Sequence, residues 1–191
     1  MKKSFLMSCG KALLIVMTIG MSLAAKAIDD ADQTSTESAK ILQPNYLSYD
    51  RLGVGIKWGT LTGVSAKYWA DDFQAVEVTA AFADSNTVVG IDYLWNFRGA
   101  VASLSKFNGA DNFIPFVGVG LLSSFGTNPS NTRIFNHDTD NFNLAARVPL
   151  GIEYLPSSVH LGIFGEIGLG LGFVTTSYTF ATADLGARYY F

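Results

Sequence analysis

The sequence predicts an all-β fold, an eight-stranded antiparallel up-and-down transmembrane β-barrel with a polar interior filled by side chains. Three observations predict it. The 191-residue chain is 49% hydrophobic and only 15% charged. Apolar residues alternate with small or charged ones along eight segments, and the small-and-charged face holds equal numbers of bases and acids. A period of two is typical of strands with two unlike faces.

The first 27 residues are typical of a cleaved secretory signal peptide. Lys2, Lys3 and Lys11 give it a positive start, and residues 13–23 form a short apolar core. Ala25 and Ala27 occupy the small-residue positions of a cleavage site. A helical membrane anchor is the alternative, but it needs about 20 apolar residues. Cleavage would remove Cys9, the one cysteine, with four of the 13 basic residues and none of the 16 acidic ones. The remaining net charge of −7 has the wrong sign for binding nucleic acid.

The rest of the chain divides into two parts. Residues 28–50 are polar and acidic without periodicity, and we expect a flexible periplasmic lead-in there. Residues 51–191 form the predicted barrel. No run of 18 uncharged apolar residues follows the signal segment, so the hydrophobicity is spread over short strands.

The eight strands are predicted from alternation and from the turn residues between them. The predicted strands cover residues 51–58, 62–70, 73–83, 87–97, 113–125, 142–154, 158–174 and 180–191. With the lead-in in the periplasm, the connection 126–141 becomes a long outer loop. The connection 98–112 is long for a periplasmic turn. It either holds local structure of its own or hides a misplaced strand around 100–107.

The small-and-charged face is predicted to point inward. A water-soluble β-sandwich also alternates, with apolar residues inside, and is the main alternative. However, the second face is too rich in glycine for a solvated surface, and its charges balance, as an enclosed polar interior requires. The predicted interior charge network is Arg51, Lys57, Lys67, Glu77, Asp92, Arg147, Glu153, Glu166, Asp184 and Arg188. Aromatic residues near the strand ends on the other face are expected to form interfacial girdles. They are Trp58, Tyr68, Trp95, Phe97, Phe173 and Tyr189.

The last eight residues, 184–191, resemble the assembly signal of bacterial outer-membrane barrels, with Asp184, Gly186, Tyr189 and Phe191 at the matching positions. The segment 144–191 is similar to small OmpA/OmpX-like barrels, and the earlier strands match only in pattern. The resemblance implies an eight-stranded barrel in the bacterial outer membrane, folded by the barrel assembly machinery. Its partners would be outer-membrane lipid and lipopolysaccharide. It implies no particular biochemical activity.

Three functions remain open from the sequence. The favoured one is a non-enzymatic structural or surface-interaction protein that exposes loop 126–141 to an unknown extracellular partner. The second is a narrow ion or solute pore lined by charges such as Glu166 and Arg188. The third is a lipid A-modifying enzyme with Ser85 and His137 as a nucleophile–base pair. His137, Asp138 and Asp140 could also bind a divalent cation, but solvated loop residues are the simpler explanation. His160 is expected to face inward. We predict no enzyme activity, cofactor or metal.

Overall fold

A computed structural model describes residues 51–83, 86–105, 107–125, 142–156, 158–173 and 178–191. Eight antiparallel strands pair in sequence order and close into a barrel, which confirms the predicted fold class. The strands are β1 Leu52–Gly59, β2 Gly63–Trp69, β3 Gln74–Ala83, β4 Asn86–Asn96, β5 Phe113–Phe125, β6 Phe142–Tyr154, β7 Leu161–Gly172 and β8 Tyr178–Tyr190. No helix among these residues is both long and apolar enough to cross a membrane.

Closure comes from pairing of the first and last strands. Gly53 of β1 lies opposite Tyr190 of β8, and Gly59 lies opposite Asp184. Every strand therefore has two hydrogen-bonded neighbours. A closed sheet has no free edge, so the strand backbone pairs internally throughout.

The strand boundaries agree with the predicted ones to within three residues, and the largest differences flank β7 and β8. Strand β7 begins at Leu161 rather than 158, and β8 begins at Tyr178 rather than 180. His160 therefore precedes β7 and is exposed, stacked on Tyr189 with ring centroids 6.0 Å apart. The expectation that His160 faces inward is wrong because the strand that would have fixed its direction starts one residue later.

The connection 98–112 holds local structure and no ninth strand among its described residues. It contains helix α1, Ala100–Leu104, and a 3₁₀ turn, Ala110–Asn112. Gly99 and Gly109 precede these two elements with φ angles of 75° and 89°. That left-handed backbone is adopted easily by glycine and rarely by other residues, which is why the chain turns at these two points.

The two faces of the barrel are opposite in polarity. Large apolar side chains such as Ile56, Ile91 and Ile167 point outward and are at least half exposed. Charged side chains within the strands point inward and are buried. This arrangement confirms a polar, side-chain-filled interior and excludes the water-soluble sandwich, in which the apolar face would be buried.

Candidate functional site

The barrel interior is occupied by one continuous chain of ion pairs. Lys57 on β1 lies near its centre, with Nζ 2.8 Å from Glu77 Oε1 and 2.9 Å from Glu166 Oε1. The Lys57 ammonium also donates to the Thr79 hydroxyl at 3.5 Å. A single cation thus joins carboxylates from β3 and β7 across the interior.

From Glu166 the chain continues to Arg147 on β6. Arg147 Nη1 lies 3.2 Å from Glu166 Oε1. The same guanidinium donates twice to Asp92 on β4, through Nε to Oδ1 at 2.7 Å and through Nη2 to Oδ2. This bidentate geometry is the strongest form of arginine–carboxylate pairing, because two parallel hydrogen bonds are charge-assisted.

From Glu77 the chain continues in the other direction. Arg188 Nη2 lies 2.6 Å from Glu77 Oε2, and Arg188 Nη1 lies 3.6 Å from Glu153 Oε1. Glu153 Oε2 lies 2.7 Å from Lys67 Nζ. The Tyr190 hydroxyl donates to Glu153 Oε1 at 2.5 Å. Glu153 therefore accepts contacts from three inward side chains.

The complete chain alternates in sign from end to end. Its order is Asp92, Arg147, Glu166, Lys57, Glu77, Arg188, Glu153 and Lys67. Every member is 4% exposed or less, and the four acids balance the four bases. An ion buried without a partner costs several kcal/mol, so this pairing is what permits charge inside the barrel.

Two members of the predicted network lie outside this chain. Asp184 is buried, but among the described residues it forms no ion pair, and its Oδ1 accepts the Leu61 backbone N–H at 2.6 Å. Arg51 is exposed and precedes β1, so its placement in the interior is wrong. Arg51 is two residues before inward Gly53, so alternation alone would place it inside the barrel. The strand that would direct its side chain inward begins only at Leu52.

Strand register explains how the Asp92–Arg147 pair forms across an intervening strand. Asp92 on β4 lies opposite Gly120 on β5, and Gly120 lies opposite Arg147 on β6. A Cβ atom on Gly120 would overlap Asp92 Oδ1. The absence of a side chain at Gly120 lets the Arg147 guanidinium reach over β5 to the carboxylate.

Apolar layers close the interior above and below the charges. The layer toward the β1–β2 turn consists of Leu61, Ala81, Val88, Leu122, Ala145 and Phe180. The layer at the opposite end consists of Trp69, Ala75, Leu94, Ile114, Phe116 and Tyr190. Leu61 lies in the β1–β2 turn, outside the predicted strands, so alternation could not assign it to the interior. The charged chain therefore lies between two apolar plugs.

Aromatic rings lie against three of the cations. Arg188 lies 3.6 Å from the ring centre of Phe164, and Lys67 lies 4.2 Å from that of Trp69. Arg98, in the β4–β5 connection, also lies 4.5 Å from the ring centre of Trp69. Desolvation there lowers the pKa of the Arg98 guanidinium from its usual value. Ring faces attract cations, so these contacts add to the ion pairs.

The described residues offer no constellation for acid–base or metal chemistry. Within them there is no cluster of three or more histidine, cysteine, aspartate or glutamate residues that could hold a metal ion. The carboxylates in the interior chain are each bound to a cation rather than free to act on a substrate. The candidates Ser85, His137, Asp138 and Asp140 lie outside the described residues.

The residues of the proposed assembly signal occupy both faces of β8. Asp184 points inward, whereas Tyr189 and Phe191 are outward, half exposed or more, and stack edge to face at 5.0 Å. Gly186 lies opposite Lys57 of β1, and a Cβ there would overlap the Phe164 ring. Gly186 thus has a packing role inside the barrel. Recognition by the assembly machinery stays a prediction.

Comparison with known proteins supports the fold and nothing finer. No known family profile matches the sequence, and no curated protein sequence matches it. The structure is similar to the N-terminal β-barrel domain of Pseudomonas aeruginosa OprF, at 18% identity and a TM-score of 0.50, covering 73% of this chain and 94% of that one. It also matches Neisserial surface protein A at 14% identity and a TM-score of 0.42, covering 73% and 92%. The likeness to the OprF barrel domain supports the barrel fold.

Proposed function

We propose that the protein is a non-enzymatic β-barrel of the bacterial outer membrane, with a structural or surface-interaction role. The observation that carries this proposal is the inverted distribution of polarity. The eight linked charged residues are at most 4% exposed, whereas Trp58, Ile56 and Ile167 are 60–77% exposed. Soluble monomers rarely expose apolar patches larger than a few hundred Å², so this surface needs a hydrocarbon surrounding.

The height of the apolar face suits a bilayer. The outward residues of β7 and its end, from Leu161 to Phe173, include no polar side chain. Twelve residue steps at about 3.3 Å, tilted by about 40°, span roughly 30 Å along the membrane normal. This matches the hydrocarbon thickness that a spanning strand must cross.

Aromatic side chains mark both ends of the apolar face. Outward aromatics at the end of the β1–β2 turn are Trp58, Phe82, Phe125 and Phe173, and those at the other end are Tyr68, Tyr93, Trp95, Phe113, Tyr154, Tyr189 and Phe191. Tyrosine and tryptophan favour the membrane–water boundary because the ring is apolar while the O–H or N–H reaches water. The two bands support a membrane-spanning orientation.

The closed interior favours a structural role over a pore. Ion pairs fill the middle of the barrel, and an apolar plug lies at each end. Eight strands leave only enough room for their own side chains. We therefore expect no steady channels from the purified protein in planar bilayers. Steady channels whose conductance changes in Glu166→Ala or Arg188→Ala would establish the pore instead.

The proposed location is tested by gel mobility. Eight-stranded barrels that are stable in detergent migrate differently on SDS gels before and after boiling, because the unboiled barrel stays folded. We expect such a shift for the protein in isolated outer-membrane fractions. Identical mobility with and without boiling, or recovery of the protein in the soluble fraction, would overturn the proposal.

The surface role is tested by the position of the loop 126–141, which we propose to lie outside the cell and to contact an extracellular partner. An epitope tag inserted after Asn131 should bind antibody on intact cells. The matched control is the same tag after Ser158, in the β6–β7 turn at the opposite end of the barrel, which should bind only after permeabilisation. The reverse pattern would invert the orientation.

The lipid A enzyme is tested separately. We expect unchanged lipid A after incubation with the folded protein, and modified lipid A would instead support the enzyme.

A further inference from the structure

The β4–β5 connection has an ordered backbone that holds apolar side chains away from the barrel core. In helix α1 the Ser103 N–H donates to the Gly99 carbonyl at 2.9 Å, and the Ser105 N–H donates to the Val101 carbonyl at 2.8 Å. No residue of α1 is buried. Leu104, at its end, is 88% exposed, the highest value among the large apolar side chains that the structure describes.

The connection is fastened to the barrel rim at both of its ends. The Phe97 N–H donates to the Pro115 carbonyl at 2.8 Å, and the Leu155 N–H donates to the Asn112 carbonyl at 2.8 Å. Ala110, in the 3₁₀ turn of the connection, is buried. These contacts fix the height of α1 relative to the strand ends.

Phe107 joins this connection to the apolar outer face. Its ring lies 5.9 Å from that of Phe113, and Phe113 lies 4.8 Å from Tyr154. Phe113 and Tyr154 belong to the aromatic band at this end of the barrel. Phe107 itself is 49% exposed. The apolar surface of the connection is therefore continuous with the face that we propose to contact lipid.

The composition of the connection fits a membrane boundary. Residues 99–105 carry no charge, and the next residue is Lys106. Apolar side chains beside a basic residue suit the level where acyl chains meet phosphate headgroups. A surface bathed in water would instead leave Leu104 without any apolar partner.

We propose that helix α1 and Phe107 form an interfacial anchor, with Leu104 and Phe107 inserted at the headgroup–acyl boundary of the leaflet at this end of the barrel. The anchor rests on the proposed membrane location. Its occupant is phospholipid and not a protein partner. It widens the membrane contact of the barrel beside β5 and β6, and it explains why this connection is longer than a simple turn.

The test uses single cysteines carrying an environment-sensitive fluorophore in the full chain with Cys9→Ser. The variants are Leu104→Cys, the exposed polar position Asp111→Cys in the same connection, and Ile91→Cys in the middle of the outer face. Each is folded into pure phospholipid vesicles that hold nitroxide lipids labelled near the headgroup or deep in the acyl chain. Aqueous iodide serves as the water-side quencher.

We expect the label at Leu104 to be quenched at least about two-fold more by shallow than by deep nitroxides, as an interfacial position requires. Its quenching by iodide should be about two-fold or more below that at Asp111. Equal iodide quenching at positions 104 and 111 would overturn the anchor. So would shielding of Leu104 in native outer membranes but not in pure phospholipid, because a protein would then cover it. Failure of deep nitroxides to quench the label at Ile91 would instead refute the membrane location.

Discussion

Replacing Glu77 with glutamine tests the interior ion-pair chain near its middle, where one carboxylate is shared by two cations. Glu77 is 1% exposed, with Oε1 2.8 Å from Lys57 and Oε2 2.6 Å from Arg188. Glutamine keeps the volume but removes the charge, so two buried cations lose a shared counter-ion. Removing one partner of a buried pair costs about 3–5 kcal/mol, and we expect Glu77→Gln to lower the free energy of unfolding by that amount.

Asp184→Asn is the matched control. Asp184 is also an inward, buried carboxylate, but among the described residues it forms no ion pair. Its main partner is the Leu61 N–H, which the asparagine amide oxygen can still accept. We therefore expect a loss of about 1 kcal/mol or less, the usual worth of one altered hydrogen bond.

The measurement is reversible urea unfolding in lipid vesicles or detergent, followed by tryptophan fluorescence. A second variant, Glu77→Gln with Lys57→Met, removes one base with the acid and restores neutrality in the chain. We expect its loss in free energy of unfolding to be at least about 1 kcal/mol smaller than the summed losses of Glu77→Gln and Lys57→Met measured singly, because the two sites are in direct contact. Equal stability of Glu77→Gln and the native protein, or a larger loss in Asp184→Asn, would refute the ion-pair chain as described.

Two further predictions concern positions on opposite sides of the barrel wall. Gly120→Ala should lower the free energy of unfolding by about 3 kcal/mol, because the new methyl group displaces Asp92 from its buried guanidinium. The control is Gly165→Ala, whose added carbon meets only a methyl group of Leu185 at 3.1 Å, and it should lower the free energy of unfolding by under about 1 kcal/mol. A larger loss in Gly165→Ala than in Gly120→Ala on urea unfolding would contradict the register argument. Ile91→Lys, at mid-height on the outer face, should destabilise the protein in vesicles by about 2–4 kcal/mol, and Thr179→Lys, near the rim, by about 0–1 kcal/mol. Equal effects of the two lysines would show that no depth-dependent apolar environment surrounds the barrel.

The alternation of side chains was sufficient to predict the barrel. In membrane strands the two faces differ sharply in polarity, so the period of two is easy to see in the sequence. Along β7, outward apolar residues alternate with inward glycines and Glu166, and the pattern breaks only at inward Phe164 and outward Gly165. Nine of the ten residues assigned to the interior network are buried there, and only Arg51 is not. Arg51 was misplaced because the phase of the alternation does not say at which residue a strand begins.

Partners within the interior could not be predicted from the sequence. Lys67 and Glu77 lie directly opposite each other on β2 and β3, yet their closest ion pairs are with Glu153 and with Lys57 and Arg188. These contacts join strands that are not neighbours in the sheet, so they depend on strand tilt and side-chain length rather than on local spacing. The helix in the β4–β5 connection was equally hidden, because five residues are too few to show a helical period.

The central claim, that apolar side chains face lipid and charges fill the interior, is tested most directly by nuclear Overhauser effects from lipid acyl chains to methyl groups. Outward Ile56, Ile91 and Ile167 should show strong cross-peaks to acyl protons in lipid nanodiscs. Leu94 and Leu122, which are 1% and 0% exposed inside the barrel, should show none. Acyl cross-peaks at Leu94 and Leu122, with none at the three isoleucines, would contradict the account.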